Sequence, residues 1–185
     1  MALLPYADFN LSPQDVKEAV ARMPRKLNIF RMWANAQTCF VPALRFGGAI
    51  MHSQKLKPYH RELAVLLTAR LEGGAYEWVQ HVPIAESAGC TKAQIAALDT
   101  CRISEACFDE REQLLLHFVQ EVVEEVRARE ETVKAMAEQF SPQEVVEIIM
   151  TCGYYMMLAR LTETTRTEID PPLAPAVIEE LARLR

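Results

Sequence analysis

The chain has 185 residues and 21.0 kDa, half of them hydrophobic and 24% charged, which is the make-up of an ordinary folded domain able to bury one substantial core. Its 24 Ala, 20 Glu and 19 Leu against only 6 Gly favour helix and argue against an all-β sandwich or barrel. A net charge of -5 and a pI near 5.5 provide no broad positive field for phosphates, so nucleic acid is not expected as a partner.

The opening MALLPYADFN has no basic run ahead of an apolar one, and no stretch of about 18 uncharged apolar residues follows anywhere. A cytoplasmic protein with no membrane segment is expected. Ser12-Pro13 reads as a serine N-cap with proline at the first helical position, opening a leading helix from Ser12 to Met23 that stops at Pro24. Ile29, Phe30, Trp33 and Ala36 recur at helical spacing from Asn28 to Ala36, and a second pattern runs from Pro42 through Leu44 to Met51. Gly47-Gly48 inside it fits either close helix packing or a break.

Lys57-Pro58 opens a strongly periodic helix with Leu63, Leu66, Leu67 and Leu71 on one stripe, and Gly73-Gly74 ends it. Ala75 to Ala88 forms the next helix, closed by Gly89, and Thr91 caps another that carries Ile95 and Leu98. After an irregular stretch from Arg102 to Asp109, one long helix is predicted from Glu110 to about Glu131. It would bury Leu114, Leu115, Phe118, Val122 and Val126 and turn Glu121, Glu124, Glu125 and Glu130 to solvent. Ser141-Pro142-Gln143-Glu144 is a capping signature for a helix from Val145 to Leu161 that is apolar nearly all round, as a central or interface helix would be. A final amphipathic helix from Pro175 to Leu184 follows Asp170-Pro171-Pro172. The sum is a single all-α domain over residues 1–185, a compact helical bundle.

The five cysteines, Cys39, Cys90, Cys101, Cys107 and Cys152, contain no C-x-x-C pair and no histidine at zinc-finger spacing. They read as reduced thiols, and no metal is expected. Chemistry concentrates instead between Arg61 and Gly89. Glu77 and His81 are four residues apart, on one face of a helix, and an antiparallel hairpin across Gly73-Gly74 would bring Glu62 toward His81. An i, i+4 Glu and His pair also arises by chance as a surface hydrogen bond. Glu62, Glu77 and His81 could also supply a two-carboxylate, one-histidine metal set, but nothing demands that reading and no second histidine stands at motif spacing.

The string RELAVLLTARLEGGAYEWVQHVPIAESAGCTKAQIAAL, with Arg61-Glu62, Tyr76-Glu77-Trp78, His81 and Ala88-Gly89 before Thr91, resembles the core of the carboxymuconolactone decarboxylase superfamily, which includes the AhpD-like alkylhydroperoxidases. The likeness is strongest over residues 56–100. It implies an AhpD-like bundle, here with extra N-terminal helices, and a cofactor-free site. In the peroxidase branch a glutamate and a histidine relay protons to a C-x-x-C pair. Glu62 and His81 match the relay, whereas the thiol positions fall on Gly74 and Glu77, which puts peroxidase activity in doubt. A rescue by Cys39, Cys90 or Cys152 would need an exposed, low-pKa thiolate near His81.

The decarboxylase branch keeps the histidine without the thiols. The resemblance therefore implies a lyase acting on a small anionic acid or lactone, with His81 as proton donor, Glu62 orienting it and Glu77 as a second acid or base. Arg61 or Arg70 would hold a substrate carboxylate, and Tyr76, Trp33, Asn35 and Tyr154 are candidates for the pocket wall, each also readable as core or surface. The family assembles as rings, which implies a homo-oligomer. Two other readings stay open: a peroxidase-related antioxidant protein, and an oligomeric binding protein that holds a small acid without turning it over.

Overall fold

The computed structural model describes residues 1–172, and every regular element among them is helical. In chain order the α-helices are α1 (Gln14–Ala21), α2 (Asn28–Trp33), α3 (Gln37–His52), α4 (Pro58–Leu71), α5 (Ala75–Ala88), α6 (Lys92–Asp99), α7 (Glu110–Glu125), α8 (Glu130–Gln139) and α9 (Pro142–Thr165). The helix expected from Pro175 to Leu184 lies outside the described residues.

Helix α4 is the hub, packing on α5, α6, α7 and α9. The sequence stripe of leucines understated its burial, because every residue from His60 to Ala69 is buried, Arg61 and Glu62 included. A helix enclosed on all sides must satisfy its polar groups from inside the protein, and those groups become the site. Gly73 then turns the chain in the left-handed region at φ +69°. At Gly74 a Cβ would meet Glu77 Oε2 at 2.7 Å and the Ala159 Cβ at 2.9 Å, so the α4–α5 turn has no room there for a side chain. Helix α5 closes at Gly89 (φ +103°), with the Cys90 amide donating to the Ala85 carbonyl in a glycine C-cap.

One core gathers Leu63, Leu66, Leu115, Phe118, Met136 and Ile148, and a second joins the N-terminal helices to α9 through Val16, Val20, Phe40, Ile50 and Leu158. Thr91, Asp109 and Ser141 each form a reciprocal capping box with Gln94, Glu112 and Glu144, so the signatures at Thr91 and Ser141 mark true helix starts. Helix α9 runs three residues earlier and four later than its apolar core suggests. By length and composition it could cross a bilayer, and half of its most apolar stretch is packed inside the fold.

Four local expectations are corrected. Ser12 does not cap α1; its hydroxyl donates to the Asp8 carbonyl and the helix begins at Gln14. Helix α3 starts at Gln37, with Pro42 inside it, and passes unbroken through Gly47-Gly48. The long helix from Glu110 breaks after Glu125, where Val126 adopts a left-handed conformation and is 89% exposed rather than buried. Glu121 causes the break: largely buried rather than solvated, it accepts from the Arg129 amide (2.9 Å) and the Thr132 hydroxyl (3.1 Å), which fastens the first turn of α8 to α7. Those contacts outweigh the periodicity that would have carried α7 onward.

Candidate functional site

Helices α4 and α5 run antiparallel across Gly73-Gly74, placing Glu62 beside His81. His81 Nδ1 is 2.8 Å from Glu62 Oε2, and Arg61 Nε donates to Glu62 Oε1 at 2.8 Å. Arg61 Nη1 also donates to the Met51 carbonyl at 2.8 Å, tying the row to α3. Burial alone would raise the Glu62 carboxyl, but His81 and Arg61 together hold it below the ordinary carboxylate range. An ionised Glu62 can only accept, so His81 Nδ1 carries the proton of that bond and Nε2 is left for a second partner. Tyr155 stands edge-on to the imidazole, ring centroids 4.8 Å apart, and its hydroxyl donates to the Met51 sulfur at 3.3 Å. The ring is thus fixed by a carboxylate at one nitrogen and an aromatic at its side.

Glu77, one turn before His81, is 2% exposed, and its oxygens accept from the Thr162 hydroxyl at 3.2 and 3.3 Å. Burial raises its carboxyl to about 7, against the smaller lowering effects of Thr162 and His81. It can therefore give or take a proton near neutrality. Its neighbour Tyr76 is turned elsewhere: the hydroxyl donates to Asp170 Oδ2 at 2.6 Å and accepts from the Ile29 amide. Gln80 Nε2 donates to the Asp170 carbonyl at 2.8 Å.

These side chains border a cavity of about 1130 Å³ between the N-terminal helices and the α4–α5–α9 floor. Arg61, Tyr76, Glu77, His81 and Tyr154 line it, and Glu62 stands behind His81. Trp33 and Asn35 do not line it. Trp33 packs into the core against Phe40 and Tyr154, and Asn35 is exposed, its amide donating to the Pro5 and Met32 carbonyls. Arg70 pairs with Asp99 and stacks over Trp78, which gives it a structural role away from the cavity. Sequence reasoning did not single out Gln80 or Asp170. Tyr76 and Gln80 are an i, i+4 pair gripping one residue, a spacing that could have suggested a shared partner without naming it.

No cysteine lines the cavity. Burial raises the Cys90 thiol to about 12 and the Cys152 thiol to about 11, and Cys39 is exposed on α3. Among the described residues no group of three His, Cys, Asp or Glu is arranged to hold a metal ion.

Residues 42–121 match the model of the carboxymuconolactone decarboxylase family, a wider span than the motif alone suggested. Solved structures share the fold. The uncharacterized peroxidase-related protein from Ralstonia eutropha JMP134, an alkylhydroperoxidase AhpD core, is 16% identical with a TM-score of 0.78, covering 98% of this chain and 94% of that one. The uncharacterized peroxidase-related protein from Silicibacter sp. TM1040 is 15% identical with a TM-score of 0.76, covering 91% and 92%. The debrominase Bmp8, in complex with 2,3,4-tribromopyrrole, is 16% identical with a TM-score of 0.65 over 98% of both chains. At such identities these likenesses carry the fold alone. No curated protein matches the chain.

Proposed function

We propose, on the match of residues 42–121 to the carboxymuconolactone decarboxylase family and on the AhpD-like fold, that the chain is an acid–base enzyme that decarboxylates an organic acid or lactone acid without a cofactor. The observation that carries this reading is the buried row Arg61, Glu62 and His81 opening onto the cavity. As carbon dioxide leaves, the electron pair of the broken carbon–carbon bond passes into an adjacent carbonyl as an enolate. Protonated His81 delivers its Nε2 proton to that carbon, and Glu62 stabilises the imidazolium and keeps the ring in place. Arg61 balances the Glu62 charge, so the row is neutral when His81 is neutral. Glu77, with its carboxyl near 7, returns a proton to the site from one turn earlier on the same face of α5.

A peroxidase-related reading comes second. It lacks a thiol in the cavity, and Gly74, at one of the two expected cysteine positions, has no space for a side chain. A binding protein without turnover is the third. A homo-oligomer accompanies the first reading, supported by Val146, Ile149, Met150 and Met157, which are exposed on α9 at helical spacing.

The test is carbon dioxide release from a panel of lactone acids and β-keto acids, comparing wild type with His81→Ala. Release by wild type at least about 10²-fold faster than by the variant supports the reading. Equal rates overturn it.

A further inference from the structure

The cavity is much larger than a small lactone acid needs, and its polarity is unevenly distributed. Leu27, Ile29, Leu44, Ile84 and Leu158 give it an extended apolar wall. Within that wall Tyr154 is only 7% exposed, and its hydroxyl has no hydrogen-bond partner among the described residues. The hydroxyl sits against Gly47, another wall residue, where a Cβ would collide with it. The hydroxyl is not sealed off from the cavity that Tyr154 lines, so it is open to a hydrogen bond from whatever fills that space. At the solvent edge the same cavity is bordered by Arg22, Arg45 and Lys57, all exposed and without a carboxylate partner among the described residues. Asp15 and Glu18 are the acids of that edge, so cations exceed anions there in a chain of net charge -5.

We propose that the cavity takes an amphipathic organic acid: a hydrophobic body along the apolar wall, a carbonyl or hydroxyl oxygen bonded to Tyr154, and an anionic head at the edge formed by Arg22, Arg45 and Lys57. The proposal names the substrate class of the acid–base site and rests on that reading only in placing at His81 the carboxyl that leaves, a group distinct from the anionic head at the edge. The edge cations are solvated, so their contribution is screened by salt, whereas the Tyr154 bond is sheltered. Binding thus divides into a salt-sensitive part at the edge and a salt-insensitive part within.

Calorimetric titration of the full chain with three probes tests this: ω-oxo-ω-phenyloctanoate, its primary amide, and ω-phenyloctanoate. The keto acid is expected to bind about tenfold tighter than the amide at low salt. The Arg22→Gln, Arg45→Gln double variant, altered only at exposed positions, should lose that preference. Tyr154→Phe should lose the preference for the keto acid over ω-phenyloctanoate, about fivefold, while keeping the preference over the amide. Equal affinity for acid and amide, a preference that survives in the double variant, or no binding by any probe would overturn the proposal. If acid binding behaves as expected but His81→Ala retains full turnover, the catalytic reading fails and this one stands. Turnover that depends on His81 without any preference for the acid gives the reverse.

Discussion

Glu62 and His81, nineteen positions apart, meet at 2.8 Å across the α4–α5 hairpin, and the carboxylate is fully buried. A buried carboxylate is tolerated only when paired, and Glu62 has both Arg61 and His81. Glu62→Gln would leave Arg61 buried against a neutral amide. It is expected to lower stability by about 3–5 kcal/mol and turnover by about 10²–10⁴-fold. His81→Gln should lose turnover to a similar degree with a much smaller fall in Tm. Parallel thermal melts and rate measurements separate the two, and an equal loss of Tm in both variants would mark His81 as structural.

The pH dependence of stability should carry the mark of Glu77. Its carboxyl is at about 7 in the fold against 4.5 ordinarily. Below about 4.5 it is protonated in both states and contributes nothing. Between 4.5 and 7 the unfolded chain gives up a proton that the folded chain keeps, so stability falls as pH rises, and above 7 the loss is complete. Glu77→Gln should match wild type near pH 4 and exceed it near pH 8 by on the order of 2–3 kcal/mol. Glu62 has the opposite sign: its lowered carboxyl stabilises above the ordinary range, and that contribution disappears as pH falls. Urea denaturation across this range would detect both, and a Glu77→Gln variant without a pH-dependent gain would contradict the assignment.

Gly47 and Tyr154 form a second coupled pair. A Cβ at Gly47 would fall on the Tyr154 hydroxyl and lie 2.7 Å from ring atom Cζ. Gly47→Ala should therefore cost about 1–3 kcal/mol by forcing the ring aside. The same change in a Tyr154→Phe background should cost less, because the hydroxyl is gone. A double-mutant cycle that shows no coupling would mean that the ring moves freely.

Thiol alkylation tests the peroxidase reading. Iodoacetamide should modify Cys39 readily and Cys90 and Cys152 slowly, since burial raises the last two thiols. Turnover on an acid substrate should survive the treatment. Mass spectrometry alongside the assay identifies the modified sites, and loss of activity that tracks one cysteine would favour thiol chemistry.

Self-association can be checked by light scattering. The exposed Val146, Ile149, Met150 and Met157 on α9 predict a particle larger than one chain, and Met150→Glu should shift it toward the monomer. A wild-type mass of one chain would remove the oligomer.

The helices and their caps were legible where local chemistry decides them. Thr91 and Ser141 with their Gln and Glu partners, Pro58 at a helix start and Gly89 past a helix end are short-range signals that the fold obeys. The break at Val126 was not legible, because it depends on Glu121 reaching forward to Arg129 and Thr132, which periodicity reads only as a solvated acid. Within the site, Glu62 and His81 could be paired once the hairpin was assumed. Trp33 could not be sorted into core or cavity wall from spacing, since a tryptophan has the same pattern in both. The hold of Asp170 on Tyr76 and Gln80 spans about 90 residues and leaves no local trace.

The most direct test of the account is the ¹⁵N NMR spectrum of the neutral His81 imidazole, which reports the nitrogen that carries the proton. A proton on Nδ1 with Nε2 bare is the predicted result, because Glu62 fixes the first nitrogen and leaves the second to the cavity. A neutral His81 protonated at Nε2 with Nδ1 bare would contradict it, since Glu62 would then not be the group that orients the acid and base.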